Sequence, residues 1–194
     1  MFFLYLIAFV CIVLLLTYLI SGEDIMWWFA GPPRDSNLKI AYKSSLGPNG
    51  NCEFFCELKR LIPDAQYVGI FYDNPKHMNP TDLRWAVGVI IERDGQPCMD
   101  ENHIKLLQMR QYREATLPAI EKAIVTEFPL FTRFSMYIAP WRVYAKIEEF
   151  ERETSIGGHP AIEFYDVDKH NILYMMPLEQ HDSFHLEGIP KYKY

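Results

Sequence analysis

Apolar residues run without a charged side chain through residues 1–20, MFFLYLIAFVCIVLLLTYLI. A bilayer core of about 30 Å takes ~20 apolar helical residues, so the run predicts a transmembrane anchor over 1–22. A cleaved leader would begin with basic residues and end on small ones. Here no Lys or Arg precedes the run, and a cut after Ser21 or Gly22 would leave Leu19 or Ile20 beside it. The segment 23–36 reads as a juxtamembrane linker, in which Trp27, Trp28 and Phe29 are candidate membrane-interface residues and Gly31-Pro32-Pro33 bars a helix. Arg34 and Lys39 follow the run, which places the folded body on the cytosolic side.

From residue 37 the pattern changes to short alternating and helical periods. Lys39–Ser45 reads as a strand. Asn51 caps a helix through Ile62 whose apolar stripe is Phe54, Phe55, Leu58, Leu61 and Ile62, stopped by Pro63. Strands follow at Tyr67–Asp73 and Arg84–Glu92, separated by the proline-bearing turn at 74–80. A helix over Glu101–Tyr112, capped by Asp100, leads to the same order again. A strand at Ala119–Phe128 precedes a helix starting at Pro140 with Val143, Tyr144, Ile147 and Phe150 on its apolar face, and strands at Ala161–Val167 and Ile172–Met176 close the unit. The third elements share letters, Ile70-Phe71-Tyr72-Asp73 against Glu163-Phe164-Tyr165-Asp166. The expected fold is α+β: a transmembrane helix, then a duplicated β-α-β-β domain over 37–180 with an antiparallel sheet, two helices on one face, a concave second face, and a short tail over 181–194.

Composition narrows the function. The net charge of −6 without a basic stripe argues against direct nucleic-acid binding. The four cysteines are too few for a disulfide-stapled secreted domain of 194 residues. Cys52 and Cys56, one helical turn apart, lack a second ligand pair at zinc spacing and read as small buried hydrophobes. His181 and His185 have no third ligand, so no metal is expected.

The stretches LKIAYKSSLG, VGIFYDNP, RWAVGVII, HPAIEFYD and LYMMPLE, behind an apolar leader, resemble the testis-expressed family of single-pass reticulum membrane proteins that serve as autophagy receptors. The folded part of that family is a GyrI-like domain related to SOUL haem-binding and multidrug-binding effector domains. The resemblance implies an adaptor or receptor in reticulum autophagy, or in segregase-linked repair of protein–DNA adducts. It also implies the reticulum membrane, with the nuclear envelope as a further location. The implied partners are the lipid bilayer, autophagy ubiquitin-like proteins and the valosin-containing AAA segregase. One departure is visible: receptor members end in a long acidic tail with an aromatic-x-x-aliphatic motif, which works as a free extended strand. Here Glu187 stands three residues after Phe184.

In GyrI-like domains a carboxylate on the matching strand meets cationic or polar ligands in an aromatic cleft. On that likeness the candidate ligand-binding residues are Glu163 and Tyr165, with Trp141 and Tyr72, placed on the face away from the helices. No Ser-His-Asp or Cys-His set is discernible, so no catalytic residue and no enzyme is expected. No cofactor is expected either, because haem would need an axial His or an apolar plate. The rival reading is a membrane-tethered small-molecule-binding domain or hydrolase working through Glu163.

Overall fold

β-Branched and aromatic residues fill the segment RWAVGVIIER, which forms the strand β3 (Arg84–Arg93), buried on both faces over most of its length. The structure is a computed structural model and describes residues 2–21, 37–48, 50–129, 135–155, 157–166 and 170–191. Around β3 lie β1 (Leu38–Leu46), β2 (Tyr67–Phe71) and the two-residue β4 (Gln96–Pro97), each paired to it antiparallel. β5 (Arg113–Leu117) adds to the outer edge of β1. The second half of the sheet is β6 (Ala123–Pro129), β7 (Ala161–Asp166) and β8 (Asn171–Pro177). The order across the sheet is β5-β1-β3-β2-β7-β8-β6, and the two halves join where β2 pairs antiparallel with β7.

Each half carries a helix between its first and second strands: α2 (Gly50–Leu61) after β1, and α4 (Ser135–Thr154) after β6. A further helix, α3 (Glu101–Met109), follows β4 and is capped by the Asp100 carboxylate accepting from His103 N at 2.9 Å. Leu58 of α2, Leu107 of α3 and Val143 of α4 enter one core cluster against Val87, Val89, Ile172 and Tyr174 of the sheet. The opposite face is equally dry. Ile40, Tyr42, Val68, Ile70, Ile162, Phe164 and Met175 pack there beneath Phe184, Leu186 and Ile189 of the C-terminal segment. The concave, open second face expected from the sequence is therefore corrected: residues 184–189 cover it.

The transmembrane part of the expected fold is also corrected. The remaining helix, α1 (Phe2–Ser21), has exposed apolar side chains, Phe3, Phe9 and Leu15 among them. Among the described residues, however, no helix is long and apolar enough to cross a membrane. The placement in the reticulum membrane or nuclear envelope and the lipid bilayer as partner rest on that anchor and go with it; the autophagy and segregase partners, implied by the resemblance, find no support among the described residues. Two helices on one face become three in the core cluster, with α1 the fourth helix of the described residues. Trp27, Trp28 and Phe29 lie outside the described residues. Cys56, expected to be buried, is exposed.

Two close contacts hold the sheet in register. An added Cβ on Gly88 would stand 2.4 Å from the carbonyl oxygen of Ala41 and 3.0 Å from the Tyr42 Cβ. Gly88→Ala therefore wedges β1 from β3, and a loss of about 1–3 kcal/mol in urea unfolding is expected, comparable with other overpacked cores. The second contact is ionic. After β2 the chain turns through Asp73, whose carboxylate accepts from the Arg84 backbone N at 2.8 Å and from its Nε and Nη2 at 2.9 and 2.6 Å. Both side chains are buried.

Candidate functional site

Strand alternation decides where Glu163 points. Ile162 and Phe164 of β7 enter the core on the C-terminal-segment side, so Glu163 and Tyr165 face the helices. Glu163 is 2% exposed. The Tyr144 hydroxyl, from α4, donates to its Oε1 at 2.7 Å, and the Tyr165 hydroxyl donates a short hydrogen bond to its Oε2. Aromatic rings wall the group in. Phe55 of α2 meets Tyr165 edge-on at 4.7 Å between centroids, and Tyr144 meets Tyr174 edge-on at 5.9 Å. Opposite Glu163 on β2 stands Gly69, where an added Cβ would meet the Phe71 ring at 2.8 Å and the Phe55 ring at 3.4 Å, so aromatic rings cover the space over this glycine.

Electrostatics follow from this enclosure. Burial pushes the Glu163 carboxyl up to about 7 against the opposing effect of hydrogen bonds from Tyr165 and Tyr144. Burial, with the Glu163 charge adding to it, raises both tyrosine hydroxyls well above their ordinary range, so they act as donors. Tyr174 is raised for the same two reasons.

The polar groups extend beyond this trio. Glu163 on β7 pairs across to Tyr174 on β8, and Tyr174 pairs across to Thr126 on β6. Cross-strand partners share a face, so carboxyl, phenol and alcohol form one row on the helix side of the sheet. The Tyr174 hydroxyl and the Thr126 Oγ1 are both buried and have no hydrogen-bond partner among the described residues. Leaving such a group unmatched costs about 1–3 kcal/mol, so a buried row of this kind is a strained feature of the fold.

The sequence candidates separate. Glu163 and Tyr165 come together, on the helix face rather than the face expected. Trp141 sits on the outer side of α4, 86% exposed, and does not approach them. Tyr72 lies on the opposite face, where its hydroxyl donates to the Phe184 carbonyl at 2.8 Å and accepts from Leu186 N at 3.2 Å. Tyr144, Tyr174 and Thr126 were missed as members. Tyr144 reads as one more apolar position of a helical stripe, although its i, i+3 spacing from Ile147 placed it correctly over the sheet.

Sequence comparison adds distant relatives. The chain is 29% identical over 161 residues to the Testis-expressed protein 264 homolog of Mus musculus. That match covers 82% of this chain and 51% of the relative. Against Testis-expressed protein 264 of Homo sapiens the identity is 28% over 169 residues, 87% of this chain and 52% of that one. The chain thus spans about half the length of the curated relatives it matches. No family model matches it. Membership in the single-pass receptor family is accordingly corrected to a distant similarity of the domain, without a membrane-spanning helix among the described residues.

Among solved structures, an uncharacterized conserved protein from Listeria innocua is similar at 9% identity with a TM-score of 0.47, covering 80% of this chain and 92% of that one. A hydrolase from Listeria innocua is similar at 7% identity and a TM-score of 0.42 over 79% of this chain and 89% of its own. The EcmrR C-terminal domain is similar at 9% identity and a TM-score of 0.44 over 79% and 98%. The expectation of a protein that is no enzyme is withdrawn on this chain's own geometry: a buried carboxyl raised to about 7 between two tyrosine hydroxyls is a group capable of acid–base work.

Proposed function

We propose that the domain binds a small cationic molecule beneath α4, with the Glu163 carboxylate as the group that balances its charge. The reading is supported by one observation above the others: a carboxyl buried among the aromatic rings of Phe55, Tyr144, Tyr165 and Tyr174 and poised to ionise near neutrality. Rings present their negative faces to a cation, and a carboxylate in a dry site attracts it far more strongly than one in water. The Tyr174 and Thr126 hydroxyls add donors and acceptors that nothing else in the described fold uses. Because Glu163 is 2% exposed, entry requires α4 to lift from β7 and β8.

The test is titration calorimetry with tetraphenylphosphonium at pH 6 and pH 8. Affinity should rise about tenfold between them, following the ionised fraction of a group with pKa near 7. Glu163→Gln, close in shape, should abolish both the binding and its pH dependence. Equal affinity for wild type and Glu163→Gln would reject the site.

The same carboxyl supports a catalytic reading. A group with pKa near 7 is divided between acid and base forms at neutral pH, the condition for general acid–base work. Turnover of p-nitrophenyl acetate that vanishes in Glu163→Gln and Tyr165→Phe, with both variants folded by circular dichroism at the assay pH, would favour it over simple binding.

A further inference from the structure

Residues 184–190 cross the sheet face remote from α2 and α4, yet they form no strand with it. Side chains of the sheet take hold of their backbone instead. Tyr72 donates to the Phe184 carbonyl and accepts from Leu186 N, while Tyr42 and Arg113 both donate to the Glu187 carbonyl at 3.1 and 3.2 Å. Arg84 Nη1 donates to the Pro190 carbonyl at 2.9 Å. These donors come from β1, β3 and β5 and from the residue after β2. Between these polar grips three side chains descend into the sheet: Phe184, Leu186 and Ile189, at 1%, 4% and 7% exposure. The intervening Glu187 and Gly188 face solvent. Gly188 has φ +85°, and a Cβ there would fall 2.1 Å from Arg113 Nη1, so the bend that lets Ile189 dip back requires glycine.

This is the anatomy of a bound peptide. Main-chain groups are read by fixed donors, which is indifferent to side chains, and alternate apolar residues fill pockets, which supplies selectivity. Residues 179 and 180, just upstream, are exposed, and Gln180 adopts a left-handed φ of +58°. A segment that leaves the single 3-10 turn His181–Phe184 and bends again at Gly188 meets the sheet as a ligand meets a groove.

We propose that this sheet face is a peptide-docking surface whose resident ligand is the chain's own segment 184–190. It accepts in trans a peptide that bends at a glycine and carries large apolar side chains at the spacing of Phe184, Leu186 and Ile189, with that glycine before the last. The tethered copy has an effective concentration in the millimolar range and excludes competitors until it is released.

The experiment uses the full chain with a single protease site placed between Glu179 and Gln180. After cutting under native conditions, a fluorescein-labelled synthetic peptide of residues 181–191 should bind saturably by anisotropy, while the uncut chain shows no binding at the same concentration. Replacing Phe184 by Ala in the peptide should weaken binding roughly 100-fold, as removal of one fully buried ring implies. A cut chain that unfolds, or that fails to take up the labelled peptide, overturns the proposal and makes the segment an integral part of the core. A second measurement needs no cut. In the uncut full chain the Leu186 amide should exchange with deuterium at least tenfold faster than the amide of Val87 in β3, through opening of the segment alone. Equal protection at both positions overturns the proposal.

Discussion

Asp73→Ala is expected to destabilise the domain by roughly 3–5 kcal/mol, the range for breaking a buried ion pair from one side. Asp73 and Arg84 are 0% and 6% exposed, and three donors of the arginine reach the carboxylate: Nε at 2.9 and 3.2 Å to its two oxygens, Nη2 at 2.6 Å and the backbone N at 2.8 Å. Alanine removes the charge facing a buried guanidinium and the acceptor that satisfies the first backbone N–H of β3. The double substitution Asp73→Ala/Arg84→Met should be less destabilised than the sum of its parts, because methionine removes the charge that the first change exposes. Recovery should remain incomplete, since Arg84 also holds the Pro190 carbonyl. Urea unfolding followed by circular dichroism and tryptophan fluorescence reads both quantities, and a loss under 1 kcal/mol for Asp73→Ala would assign the pair the weight of a surface contact.

How much of this was legible depended on whether local pattern or long-range pairing governs each element. The α2 stripe of Phe55 and Leu58 and the apolar runs of β2, β3, β7 and β8 carry their period openly, and the observed bounds differ from those expected by a residue or two. β5 carries no such mark. Its residues, Arg-Glu-Ala-Thr-Leu, are mostly exposed, and it exists as a strand because β1 offers a free edge. The usual preference of proline for the first helical turn makes Pro140 a helix start, but α4 begins five residues earlier and keeps the proline inside. The matching of Phe71 with Phe164 by letters also fails: Phe71 packs toward the helices, and Phe164 packs against the opposite face. A one-residue offset between two strands exchanges every face, and only the β2–β7 register fixes it. For that reason the likeness to GyrI-like domains points to Glu163 but puts it on the face away from the helices, and gives no sign of the tyrosine from α4 that donates to it.

Stability should fall as pH rises from about 5 to 8, and Glu163 is the group responsible. Its folded pKa of about 7 lies above the ordinary 4.5, because burial disfavours the charged form more than the Tyr165 and Tyr144 hydrogen bonds favour it. In that interval the folded state therefore binds more protons than the unfolded one. The contribution is fully present below pH 4.5 and disappears as pH passes through 7. A shift of this size corresponds to roughly 3 kcal/mol. Other carboxylates act with opposite sign and in a lower window. Burial raises Glu57, but the hydrogen bond and charge of Lys43 outweigh it, while hydrogen bonds from Lys39 and Lys76 lower Glu114 and Glu148, so these three lose their contribution as pH falls. Taking the difference between wild type and Glu163→Gln cancels them. That difference in unfolding free energy should shrink or reverse by roughly 3 kcal/mol between pH 4.5 and pH 8, and a flat difference would show that the carboxyl is not held neutral. The same ionisation that weakens the fold creates the anion a cation needs. Ligand affinity and stability should therefore change in opposite directions across neutrality, and a saturating cation should restore at pH 8 the stability that the proton supplies at pH 5.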